Sequence, residues 1–152
     1  MIEMLTVVAI LAITLTALLG LINFSLGVQG LAKETTQANN LAQEAMEAVR
    51  NFRNRTDWYV DGLGALNPMV NYYPQKTADN PPKWQMILGQ EQTSGFTRRF
   101  VVHDVLRDAN DNIVESGGAT DFNTKKITMF VFWESKGINH QIKLETYFTN
   151  WK

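Results

Sequence analysis

The 152-residue chain carries 14 Lys and Arg against 15 Asp and Glu, a net charge of −1, and has no cysteine. This composition excludes a disulfide framework, a thiol nucleophile and a Cys-bound metal. A near-neutral chain also gives no electrostatic reason to expect nucleic acid as main ligand, and its length suits one domain.

The charges are distributed unevenly. The chain opens MIEMLTVVAILAITLTALLGLINFSLGVQGLA, and no Asp, Glu, Lys or Arg occurs across the 29 residues from Met4 to Ala32. A span of ~20 apolar residues crosses a hydrocarbon core. A cleaved secretory signal has a basic start, an apolar core of roughly 7–15 residues and a small-residue cleavage site. Here the start is acidic and the apolar run much longer. The expected organisation is a retained membrane helix over residues 1–32 and a soluble domain over 33–152. With no Lys or Arg before the span, the positive-inside rule does not orient it.

Glu3 is the only charge in this head. A carboxylate at the bilayer centre costs roughly 2.5–3.5 kcal/mol on insertion scales, so an intramembrane acid is a functional candidate by default. Its plainer reading is a helix-end residue wetted by headgroups and favoured by the positive end of the helix dipole. Position alone leaves both open.

The helical signal continues beyond Lys33. Ala38, Leu41, Ala42, Ala45, Met46, Val49 and Phe52 recur at steps of three and four and make one stripe, as a helix packed on a core requires. Glu34, Gln37, Asn40, Gln43, Glu44, Glu47, Arg50 and Asn51 take the other face. The pattern breaks at Asn54, Thr56 and Asp57. One long helix is expected, apolar all round in its first half and one-sided in its second. Residues 57–90 hold all four prolines and no sustained period, and read as a long connection. Its aromatics Trp58, Tyr59, Tyr72, Tyr73 and Trp84 suit either packing over a sheet edge or a ligand surface.

Strands follow. GFTRRFVVHDVLRD alternates loosely, DANDN is a turn cluster before IVE, and KKITMFVFWE faces INHQIKLETYFT across SKG. In the last segment His140, Ile142, Leu144, Thr146 and Phe148 share one face and Gln141, Lys143, Glu145 and Tyr147 the other. The expected class is α+β, a long N-terminal helix packed on a C-terminal antiparallel sheet of three or four strands. Leu41, Met46, Val49 and Phe52 are the expected packing residues, with Ile142, Leu144 and Phe148 among their partners.

Catalytic signals are absent. No G-x-S-x-G, H-E-x-x-H, phosphate-binding loop or dinucleotide fingerprint occurs. His103, beside Asp104, and His140 lie on separate strands, and nothing in their spacing asks them to converge. Asp108, Asn110 and Asn112 have the spacing that opens a calcium loop, but Ile113 and Ala119 stand where such a loop needs Gly and Glu, so a polar turn is the default. Arg98-Arg99 and Lys125-Lys126 read as solvated strand positions. No enzymatic activity, cofactor or metal is expected.

An acid heading a membrane helix, continued by an amphipathic half and a C-terminal antiparallel sheet, resembles the type IV pilin superfamily. Its members carry a leader ending in Gly, then an aromatic residue or Met, a Thr or Ser, and Leu-Ile-Glu. Ile2, Glu3, Met4 and Leu5 stand as in that pattern, while Met1 stands where the family has Leu. The leader is expected upstream of these residues. LAQEAMEAVRNFRNRTDW and NTKKITMFVFWE are more weakly similar to minor pilins. The family often has a helix-breaking proline in the membrane half. Here Gly20, Gly27 and Gly30 are the only cheap places for that half to loosen.

The resemblance implies a filament core of stacked N-terminal helices, in which the acid at Glu3 neutralises a neighbouring subunit's terminal amine and Met4, Leu5, Val8, Leu11, Leu18 and Leu19 pack. It implies other pilin or pseudopilin subunits, membrane lipid, an inner-membrane assembly platform and a prepilin peptidase as partners. It also implies an extracytoplasmic C-terminal domain. The leading expectation is a minor-pilin-like structural subunit. The alternatives are a pseudopilin of a type II secretion system, or a single-pass anchored binding module that uses the aromatic residues of 57–90 for a glycan or protein.

Overall fold

The computed structural model describes residues 1–151. One helix, α1, runs unbroken from Ile2 to Arg55. All four prolines come later in the chain, so nothing removes a helical N–H or forces a kink. Glu3 lies in the first turn and Arg53 and Arg55 in the last, each sign on the helix end that favours it. The helix stops at Thr56, whose backbone N–H and hydroxyl both donate to the Phe52 carbonyl, at 3.1 and 2.7 Å. Asp57 then turns the chain by accepting from the N–H groups of Tyr59 and Val60. The chain forms two compact units, residues 1–37 and the remainder from Ala38.

The second unit is helix on sheet. After a 3-10 turn at Leu63–Ala65 come β1 (Asn71–Lys76), β2 (Trp84–Leu88), β3 (Glu91–Thr93), β4 (Phe96–Arg107), β5 (Ile113–Val114), β6 (Ala119–Ser135) and β7 (Ile138–Thr149). These form one seven-stranded sheet in the order β2-β1-β4-β6-β7, with β3 and β5 also paired to β4. Every pairing is antiparallel. The long strand β4 has β6 on one side, while β5, β1 and β3 meet its other side in turn. A two-residue turn joins β6 to β7, with Lys136 and Gly137 both at positive φ. That geometry matches the twist of the flanking strands.

The core lies between the sheet's inner face and residues 38–52 of α1. Ala38, Ala42, Ala45, Met46, Ala48, Val49 and Phe52 are buried on the helix side. Phe96, Phe100, Val102, Ile127, Met129, Val131, Trp133 and Phe148 face them from the strands. Leu41, Ile142 and Leu144 are partly buried and pack at the margin of this cluster. Along β7 the residues alternate, with His140, Ile142, Leu144, Thr146 and Phe148 covered and the ones between exposed. The unit is therefore α+β, as its patterning requires.

Three expectations are corrected. The sheet has seven strands and not three or four, because the β1–β2 hairpin and the short β3 and β5 join it. Residues 57–90 are not an open connection, because β1 and β2 form a hairpin there. Pro74, which argues against a strand, sits where β1 pairs with β2 alone; β4 meets β1 only at Asn71 and Tyr72. A proline is tolerated where one strand edge is unpaired. Tyr72 stacks on Phe100 with centroids 5.8 Å apart, and Trp58 is buried with its indole N–H donating to the Phe122 carbonyl. Gly64 lies directly against the Trp58 ring, where a Cβ would clash.

The basic pairs are not both solvated. Arg98 and Lys125 are buried, at 8% and 6% exposure. Arg98 ion-pairs with Glu91 on β3 and lies 3.6 Å from Glu44 on α1, while Lys125 reaches Asp104. Arg99 lies over the rings of Phe130 and Phe132 on the outer face of the sheet. Beside them Lys143 and Lys126 hold the Glu145 carboxyl down at about 2.

Truncating a buried Phe to Ala typically costs ~3–5 kcal/mol. Phe52→Ala is therefore expected to lower the thermal midpoint of the chain in detergent markedly, whereas Gln43→Ala, at an exposed position, leaves it nearly unchanged. A larger loss from Gln43→Ala would mean that α1 faces the sheet with its other side.

Candidate functional site

The first half of α1 is the feature that asks for a partner. Between Met1 and Leu31, 18 large apolar side chains are exposed. Burying each is worth ~1.5–3 kcal/mol, a sum on the order of 30 kcal/mol. That exceeds the ~5–15 kcal/mol by which a whole domain is stable, so keeping this surface in water is costly. Met4, Leu5, Val8, Leu11, Leu18 and Leu19 are all at least half exposed, on a helix that is apolar on every side. By length and composition this helix can cross a membrane.

Its hydroxyls suit an apolar medium. Thr14 donates to the carbonyls of Ile10 and Leu11, and Thr16 to those of Ala12 and Ile13, all at 2.9–3.0 Å. Such back-bonding satisfies a polar group without water. Thr6 donates to the Glu3 carbonyl at 2.8 Å. The Glu3 carboxylate has no ion-pair partner among the described residues. It sits in the first turn of α1, at the helix end that favours an acid.

The packing positions contrast with these. Met46, Val49 and Phe52 are buried and Leu41 is half-buried, all within the second unit. Ala48, outside the sequence stripe, is buried as well; on a helix it lies beside Ala45 and Phe52.

The two histidines and the Asp108 turn lie apart among the described residues. His103 lies on the outer face of β4 opposite Lys126, and burial followed by the Lys126 charge pulls its pKa down. His140 stacks on Trp133 at the inner margin, centroids 5.3 Å apart, so the two histidines are not brought together. Asp108 closes the turn before β5, accepting from the N–H groups of Asn110 and Asn112 and the Asn112 side chain. Those bonds, Asn112's first, hold its carboxyl below the usual range. Among the described residues no three His, Asp or Glu side chains are gathered as a metal site.

Compared with protein families, curated proteins and solved structures, the chain matches none. A long apolar N-terminal helix whose second half packs on an antiparallel sheet is compatible with a pilin-like fold.

If the exposed half of α1 enters a bilayer, a cation at its middle is costly and a small apolar residue is not. Leu18→Arg adds roughly 3 kcal/mol to insertion. It is expected to shift the chain out of the carbonate-resistant membrane fraction, while Leu18→Ala leaves it there. Equal membrane integration of the two variants would contradict a membrane-spanning helix.

Proposed function

We propose that the chain is a structural subunit of a type IV pilus or related filament, of the minor-pilin kind, held in a membrane by the first half of α1 until assembly. The observation that carries this reading is an acid in the first turn of a helix whose apolar first half is exposed and whose second half closes its own domain's core. The apolar half has two suitable environments, lipid before assembly and neighbouring helices after it, so little apolar surface meets water on the way. Glu3 adds direction. In a core of bundled helices its carboxylate pairs with a neighbour's terminal amine, and a shifted register leaves a buried charge alone, at roughly 3–5 kcal/mol.

The same chemistry serves a type II secretion pseudopilus. Under this reading the soluble unit is extracytoplasmic, the chain's partners are other pilin-type subunits and the machinery that processes and stacks them, and no catalysis is asked of it.

Glu3→Gln keeps the shape of the side chain and removes its charge. It is expected to leave membrane insertion and the fold intact yet reduce the variant's share of sheared filaments by about a hundredfold or more, as a ~3 kcal/mol loss requires. Normal incorporation would overturn the role given to Glu3.

A further inference from the structure

At the opposite end of α1 from Glu3, the last helical turn, the connection after it and the chain's end surround a hollow of about 460 Å³. Two flat aromatic side chains border it, Tyr59 at 59% exposure and Trp151 at 64%. Such exposure is costly for rings that only fill space. Between them lie Arg53, Thr56, Asp57 and Asn150.

Arg53 is the key group. Its guanidinium is held between the rings of Phe148 and Trp151, 5.6 and 5.4 Å from their centroids. Nη1 donates to the Thr149 carbonyl at 3.0 Å, and the buried Nε has no acceptor among the described residues. No carboxylate lies in ion-pair range of it among the described residues. Partial burial and the charge of Arg50 pull its pKa down, the mark of a cation lacking its counter-charge. Buried Arg98, Lys125 and half-buried Arg107 all have acids beside them; Arg53 has none among the described residues.

We propose that this hollow binds an acidic sugar, its carboxylate on Arg53 and a ring face against Trp151 or Tyr59. Sugars present C–H faces that stack on aromatic rings, and hydroxyls that suit planar amide and carboxylate groups. Asp57 Oδ1 accepts from its own turn, leaving Oδ2 for a hydroxyl, and Asn150 keeps its side-chain oxygen beside the bond from its amide nitrogen to Asn123. An acidic peptide fits less well. Two main-chain groups at the hollow, Thr149 O and Asn150 N, are already bonded, to Arg53 and to Asn123 O, and do not pair with an extended backbone. The proposal does not depend on the filament reading.

The test uses the full chain in lipid nanodiscs, a panel of uronate- and sialate-terminated trisaccharides, their neutral counterparts, and tetraglutamate. Saturation-transfer NMR and tryptophan fluorescence read binding. Saturable binding of at least one acidic sugar is expected. Esterifying its carboxylate, or Arg53→Gln, should weaken it about tenfold or more, as loss of a charge-assisted bond requires. Because Arg53 also packs on Phe148, Trp151→Ala at an exposed position provides a second variant. It should weaken binding with circular dichroism unchanged. No saturable acidic sugar, equal affinity for neutral sugars or esters, indifference to Trp151→Ala, or tighter binding of tetraglutamate would each overturn the proposal.

Discussion

The packing of an alanine-rich helix face against a sheet of large side chains governs the rest of the structure. Ala38, Ala42 and Ala45 present only methyl groups, so Phe100, Met129, Val131 and Ile127 supply the bulk between helix and strands. Interiors tolerate little void, and this division of small against large lets the helix, with Trp58 and Leu63 from the connection after it, cover the inner face. The core is thereby complete with residues from Ala38 onward. From Met4 to Ala32 the helix carries no charged residue and exposes its large apolar side chains, and its cover has to come from lipid or from other helices. One unbroken helix thus carries two different demands, one met by its own chain and one met outside it.

Buried charges fix the position of the sealed face. An isolated charge in such a place costs about 3–5 kcal/mol, so Arg98 ties β4 to Glu91 on β3 and, at a longer and more exposed distance, to Glu44 on α1. The Glu91 pair is the stronger constraint, since water screens Glu44, whose side chain is 56% exposed. At the other end of β4 the register with β6 shifts between Asp104 and Val105. The residues this leaves out of pairing take hold of the segment after α1, with the Phe122 carbonyl on Trp58 and Asn123 on Tyr59. A defect in the ladder thereby positions one wall of the distal hollow.

Much of this was legible in the residues. The steps of three and four from Ala38 to Phe52 mark the face that is buried, and the alternation of β7 marks its covered side. The same alternation puts Arg98 in line with Phe96, Phe100 and Val102, so its burial could have been read from strand parity; charge alone suggested solvent. The β1–β2 hairpin was hidden because Pro74 interrupts a short strand and because strand pairing depends on partners distant in sequence. The hollow around Arg53 was hidden for a related reason. Arg53, Tyr59 and Trp151 come from three separate stretches, and only the fold places them together. For Glu3 the sequence and the structure carry the same information, since its proposed partner belongs to another chain.

The central claim is that the first half of α1 is covered by copies of itself once assembled. The chain has no cysteine, so pairs can be introduced without background. Leu11→Cys with Leu18→Cys puts two thiols on the exposed helix, and oxidation of filament-bearing cells reads whether neighbouring helices lie against one another. The account expects a ladder of covalent multimers extending beyond the dimer, absent when Ala42→Cys and Val49→Cys are placed on the buried face instead. Monomers alone from the Leu11 and Leu18 pair, or an equal ladder from the buried pair, would contradict it.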